Sequence, residues 1–172
     1  AEDIAQWIRQ DGVTLKAILL THGHFDHIGA VAGLKKEFQV PVYAMGAEAV
    51  VMEDSTLNLS ANWASAFTVK CDHELTDEEK FQVAGFDIVA YHTPGHTKGG
   101  ACYYIEEEQV LFSGDTIFCH SVGRTDLPTG SMGELRRSVQ RMLQILPDAT
   151  RVMPGHECDT SIADEKRYNP YS

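Results

Sequence analysis

Short apolar runs alternate along the chain with segments whose apolar residues recur at helical spacing. Glu2–Gln10 sets Ile4, Trp7 and Ile8 on one face and predicts an opening helix. Lys16–Thr21 holds Ala-Ile-Leu-Leu, apolar on both faces as an interior strand is. His27–Phe38 predicts a helix, with Val31, Leu34 and Phe38 along one stripe. A short strand is expected over Val40–Ala44, then helical pieces with a loose middle over Gly46–Ala66. Lys80–Ala84 and Phe86–His92 flank Gly85 as a hairpin, and Ala101–Ile105 and Gln109–Ser113 flank the charged turn Glu106–Glu108 as another. Ser131–Leu146 is the clearest helix: Ser131 and Glu134 form a capping box, and Leu135, Val139, Met142, Leu143 and Leu146 share a face. Arg151–Met153 predicts a last strand and Thr160–Arg167 a terminal helix. No repeat, linker or low-complexity tract interrupts residues 1–172, which read as one domain. Hairpins mixed with βα units predict a layered α/β protein with helices outside a sheet or pair of sheets.

Composition narrows the function. The 172 residues carry 14 Lys+Arg against 25 Asp+Glu, a formal charge of −11. That balance argues against a nucleic-acid-coating protein, which shows a basic stripe. No apolar run approaches the ~20 residues of a membrane span, and no basic segment with an apolar core opens the chain as a signal peptide would. The four cysteines (71, 102, 119 and 158) form no CxxC pair. They read as reduced thiols, and a cytoplasmic location is expected.

The chemistry concentrates in Thr21-His22-Gly23-His24-Phe25-Asp26-His27, between the apolar strand and a helix. His22, His24, Asp26 and His27 are four ligand-type side chains within six residues. On a strand-to-helix loop they can converge on a cation, and imidazole nitrogen and carboxylate oxygen are donors that zinc accepts. Solvated loop histidines, with Asp26 capping the next helix, are the bland alternative; a lone His-x-His would favour it. Three further strand ends decide against it: Thr93-Pro94-Gly95-His96-Thr97, Ser113-Gly114-Asp115-Thr116 and Pro154-Gly155-His156-Glu157. Each follows an apolar strand with Gly and one ligand residue. Seven such residues at strand ends point to metal.

This set, His22-x-His24-x-Asp26-His27 with His96, Asp115 and His156, resembles the metallo-β-lactamase-fold hydrolases. Within them the chain is most similar to the short, single-domain glyoxalase II (hydroxyacylglutathione hydrolase-like) type. Gly123-Arg124-Thr125-Asp126, Gly130-Ser131 and Asn169-Pro170-Tyr171 add to the match. The resemblance implies an αββα sandwich with a dinuclear site at one sheet edge. One metal would be held by His22, His24 and His96, the other by Asp26, His27 and His156, and Asp115 would bridge them with a water or hydroxide. Two divalent ions are implied, zinc first, iron or manganese as alternatives. The implied reaction is hydrolysis of a small-molecule thioester, S-(2-hydroxyacyl)glutathione or a relative, with Asp26 and Asp115 as the catalytic carboxylates and neither nucleic acid nor membrane as partner. A His at position 27 fits glyoxalase II-like members better than class B β-lactamases, which often place other residues there and are usually exported.

Family members begin with several β-strands and an Asp-Pro-Gly turn that this sequence does not contain. A trimmed, N-terminally incomplete sandwich with an exposed sheet edge or apolar face is therefore expected. The helical domain that follows in long glyoxalase II proteins is also absent from it. The alternatives are a persulfide dioxygenase, which binds one iron at the first site and shares the Gly-Arg-Thr-Asp segment, and a non-catalytic metal-binding fragment. Nuclease members carry an inserted domain and a more basic surface, and flavin-linked diiron reductases want a carboxylate at position 24; neither fits. Lys98 and Arg124 are weak candidates for holding a substrate carboxylate, against the favoured reading of a surface Lys and an Arg124–Asp126 turn pair. Lys166, Arg167 and Tyr168 read as a solvated helix end. His73 and His92 read as structural, as do Cys71, Cys102 and Cys158. Cys119 and His120 read as loop or pocket residues.

Overall fold

A computed structural model describes residues 1–63 and 65–172. The order is α1 (Glu2–Asp11), β1 (Ile18–Leu19), α2 (Phe25–Ile28), α3 (Val31–Phe38), β2 (Val42–Met45), α4 (Ala49–Met52), α5 (Ser60–Trp63), β3 (His73–Leu75), β4 (Glu79–Val83), β5 (Phe86–His92), β6 (Ala101–Ile105), β7 (Val110–Gly114), α6 (Met132–Ile145), β8 (Arg151–Pro154), β9 (Thr160–Ser161) and α7 (Ile162–Tyr168). A 3₁₀ turn, Gly46–Glu48, joins β2 to α4. Strands β1, β2 and β3 pair in parallel. Strands β4 to β9 form a second sheet in sequence order, antiparallel except for the parallel β7–β8 pair. No helix among the described residues is long and apolar enough to cross a membrane.

Alternation along the strands builds the layers. On β2, Val42 and Ala44 face a cluster with Ile28, Val31 and Met52 from the neighbouring helices. Tyr43 and Met45 face the other way, against Leu75, Ile88, Ala90 and Tyr103 of the space between the sheets. On β6, Ala101 and Tyr103 line that same space, while Cys102 and Tyr104 meet Leu135, Val139, Met142 and Ile162 of α6 and α7. Helices, sheet, sheet and helices follow in that order, so the chain adopts the expected αββα sandwich. The Ser131 hydroxyl accepts the Glu134 N–H, fixing the start of α6 as the capping box predicts.

One bond crosses the middle layer. The Tyr103 hydroxyl, buried, donates to the Leu20 carbonyl at 2.7 Å, just before the histidine-rich loop. Tyr103→Phe leaves that carbonyl unpaired and is expected to lower stability by about 1–3 kcal/mol, read from urea unfolding.

Several expectations need correction. Helix α1 buries Ala5 and Ile8, whereas Ile4 and Trp7 are 44% and 59% exposed. The helix is rolled so that small Ala5 approaches Leu34 of α3. The strand over Lys16–Thr21 shrinks to Ile18–Leu19, and the helix over His27–Phe38 is two helices parted at Gly29 and Ala30. Strand β3 was not foreseen, because His73 and Glu74 are exposed and only Leu75 is buried. Thr160–Ser161 pairs with β8 instead of opening a helix; α7 begins at Ile162, where the Ser161 hydroxyl accepts the Asp164 N–H. Ala64, within the predicted Gly46–Ala66 stretch, lies outside the described residues.

Candidate metal centre

Strands β5, β7 and β8 run in one direction, so their C-terminal ends share an edge. His96 follows β5, Asp115 follows β7 and His156 follows β8. The Ala101 N–H donates to the Thr21 carbonyl at 2.8 Å and docks the end of β1 on the same edge. The loop from β1 into α2 then adds His22, His24, Asp26 and His27.

All seven residues meet there, in two groups. His22, His24 and His96 present nitrogens within 4.8 Å of one another, and so do the donor atoms of Asp26, His27 and His156. His24 Nδ1 lies 2.9 Å from His96 Nε2, and His27 Nε2 lies 3.2 Å from His156 Nε2. Asp115 stands between the groups. Its Oδ1 is 3.4 Å from His27 Nε2, and its Oδ2 is 3.4 Å from His96 Nε2. Oδ2 also lies 3.8 Å from His156 Nε2. Asp26 Oδ2 closes the second group, 3.3 Å from His156 Nε2. The first group is buried; in the second, Asp26 and His156 are 41% and 51% exposed.

The 3.2–3.4 Å separations match ligands around one ion, and the unpartnered donors favour metal over a hydrogen-bonded cluster. Donors at ~2.0–2.1 Å from a tetrahedral ion lie about 3.3–3.4 Å from one another. One N–H···N bond would satisfy a single pair of imidazoles. It would leave the buried His22 Nε2 and Asp115 Oδ1 without partners, as both are. On His96 the nitrogen facing away from the centre is held: Nδ1 donates to the Arg124 carbonyl at 2.8 Å, fixing the ring with Nε2 inward.

Two glycines make the convergence possible. Gly95 has φ +135°, and a Cβ there would sit 2.1 Å from the Leu135 nitrogen of α6. A Cβ on Gly155 would fall 2.4 Å from Asp115 Oδ1 and 2.8 Å from His27 Cε1, inside the centre itself.

Burial favours the neutral form of three of the imidazoles, His22, His24 and His27. Burial, then the surrounding histidines, holds His22 well below the ordinary histidine value. Burial and His96 bring His24 down to about 4, and burial lowers His27. Burial pushes the Asp115 carboxyl up, against the pull of His27 and His96. Metal-free protein should therefore lose stability as pH falls below about 6.5. Unfolded histidines take up protons there that the buried ones refuse, while above that pH these groups contribute no slope. Urea midpoints of the metal-free protein at pH 7.5 and 5.5 check this; equal midpoints contradict it.

The centre opens on a cavity of about 510 Å³. His24, Asp26, His96, Asp115 and His156 form its polar side, and Phe25, Leu59, Phe118, Val122 and Leu127 supply apolar walls. Arg124 also lines it, with Nε and Nη2 each 2.7 Å from the Asp126 carboxylate, the turn pair favoured from the sequence. Lys98 is exposed and stands outside this lining. Lys166 pairs with Asp148, and Arg167 lies over the Tyr168 ring. His73 stacks on Tyr43, and His92 Nε2 meets the Lys98 carbonyl at 3.0 Å. All four cysteines are free thiols.

Two buried carboxylates escaped the sequence reading. Glu165 accepts the His120 N–H, the Thr160 hydroxyl and the Asn169 amide, tying the loop after Asp115 to α7. Glu48 accepts the Gly23 and Gly99 N–H groups. Its signal was present: Glu48 is the one charge between Pro41 and Met52.

Comparison with known proteins agrees with this architecture. The chain is 36% identical over 170 residues to a probable metallo-hydrolase of Bacillus subtilis, spanning 98% of this chain and 81% of that protein. It is 34% identical over 176 residues to the hydroxyacylglutathione hydrolase GloC of Haemophilus influenzae, spanning 99% and 82%. It superposes on the BLEG-1 B3 metallo-beta-lactamase with a TM-score of 0.92 at 41% identity, over 99% of this chain and 83% of that one. On TTHA1623 in a di-iron-bound form the TM-score is 0.87 at 36% identity, over 99% and 84%. Residues 1–156 match the family model of the metallo-beta-lactamase superfamily, and with the sandwich and its edge cluster in place the chain belongs to that superfamily.

Proposed function

We propose that the chain is a dinuclear metal-dependent hydrolase that cleaves small thioesters, S-(2-hydroxyacyl)glutathione or a close relative, in the cytoplasm. The observation that carries the reading is Asp115, set between the two donor groups in the lining of an open, partly apolar cavity. When bound, two divalent ions, zinc by preference, with iron or manganese as alternatives, supply water activation and Lewis-acid polarisation of a carbonyl. His22, His24 and His96 would hold one ion; Asp26, His27 and His156 the other. Held neutral by burial, His22, His24 and His27 keep their lone pairs available at pH 7. Asp26, at the cavity rim, is placed to accept the proton of an attacking water. Phe25, Leu59 and Phe118 exclude water around an acyl group, and Arg124 offers a cation beside it. The resemblance to the Haemophilus hydroxyacylglutathione hydrolase supports the thioester. The 41% identity to a B3 metallo-beta-lactamase favours a second reading, β-lactam cleavage.

One assay separates the readings. Zinc-loaded protein is offered S-lactoylglutathione, other thioesters, a β-lactam and, with iron and oxygen, glutathione persulfide. Thioester turnover well above the rest is expected. A β-lactam preferred over every thioester, or oxygen consumption with persulfide alone, overturns the proposal.

A further inference from the structure

We propose that Glu48 is a positioning residue that sets the spacing of the two loops carrying His22, His24 and His96. The inference rests on reading those histidines as metal ligands. The Glu48 side chain is 1% exposed, yet both oxygens are engaged. Oε1 accepts the Gly23 N–H at 2.7 Å, and Oε2 accepts the Gly99 N–H at 2.7 Å. Gly23 lies between His22 and His24, and Gly99 lies three residues past His96. One carboxylate therefore clamps loops that follow β1 and β5, from opposite sheets of the sandwich.

The packing leaves the clamp little play. A Cβ on Gly99 would stand 2.1 Å from the Glu48 nitrogen and 2.5 Å from its Cα. A Cβ on Gly23 would stand 2.8 Å from Met52 Cγ. Both donors reach Glu48 because neither carries a side chain. The neighbours Val51 and Met52 are fully buried, so an apolar residue would serve for packing alone. A buried carboxylate is costly unless bonded, and it is the side chain that satisfies two converging N–H donors at once. An amide has one acceptor oxygen and would turn its NH₂ on the other donor.

Glu48→Gln tests this, since its shape is unchanged and one of the two bonds becomes a donor–donor clash. Zinc affinity of the metal-free variant, measured by competition with a chromophoric chelator, should fall about 10–100-fold. The visible absorption of the cobalt-loaded variant should shift. With S-lactoylglutathione, kcat should fall while KM stays within about twofold. A folded Glu48→Gln protein with wild-type zinc affinity and a wild-type cobalt spectrum overturns the proposal. If that variant does not fold, Glu48→Asp, which draws the charge back by one methylene, is read by the same two measurements, and wild-type values overturn it. Failure of both variants to fold also overturns it, in favour of a purely structural carboxylate. If the wild type cleaves no thioester, the thioester reading fails alone, and affinity and spectrum still decide on Glu48.

Discussion

Asp115→Ala is expected to abolish retention of both metal ions and to cut kcat/KM by at least about 10³-fold. Asp115 is the carboxylate that faces both donor groups, Oδ1 toward His27 and Oδ2 toward His96. Its loss leaves Asp26 as the remaining anionic donor among five imidazoles, and Asp26 belongs to the second group. Two divalent ions at close range then face too little compensating charge. Stability of the metal-free protein should move little or rise. Asp115 is buried, Oδ1 has no hydrogen-bond partner, and its carboxyl is already pushed up by burial. Metal content by mass spectrometry, kinetics and a thermal melt check the three parts together. Wild-type turnover in this variant would end the account of the centre.

Gly155→Ala should be the single-methyl change that strikes the donor atoms most directly. The added Cβ would lie 2.4 Å from Asp115 Oδ1 and 2.8 Å from His27 Cε1, with the Gly114 carbonyl carbon 3.3 Å away on the other side. The atoms able to yield are the donors themselves, displaced by several tenths of an ångström. A misplacement near 1 Å costs on the order of 10²-fold in rate. The expected result is a folded protein that keeps a tightly bound first ion, loses the second on dialysis, and turns over about 10²-fold more slowly. Gly155 is exposed and belongs to none of the four core clusters, so the urea midpoint should change little. A variant with two retained ions and wild-type kcat would contradict the close approach.

The sequence made some of this legible for physical reasons that differ by element. Helix α6 was readable because capping and burial agree: Ser131 holds Glu134, and Leu135, Val139, Met142 and Leu143 form a single buried stripe. The β4–β5 hairpin was readable because Gly85, with φ +90°, punctuates two alternating strands. The seven donor residues stood out because ligand-type side chains are rarely so dense at strand ends. Strand β3 was not readable, since a three-residue strand with one buried side chain carries no period. The face of α1 was misread because Ala5 is too small to register as apolar against Trp7, yet small size is what lets the helix approach α3. Glu48 was missed for a different reason. Its lone charge in an apolar stretch was visible, but its partners, the backbone amides of Gly23 and Gly99, leave no residue signature to say what it binds.

The central claim is that two cations share Asp115. Anomalous X-ray diffraction at the zinc edge, on crystals of zinc-loaded protein, tests it most directly. Two peaks are predicted, one among His22, His24 and His96 and the other among Asp26, His27 and His156, with a different Asp115 oxygen toward each. A single peak confined to the first group, or none at this edge of the sheets, would contradict it.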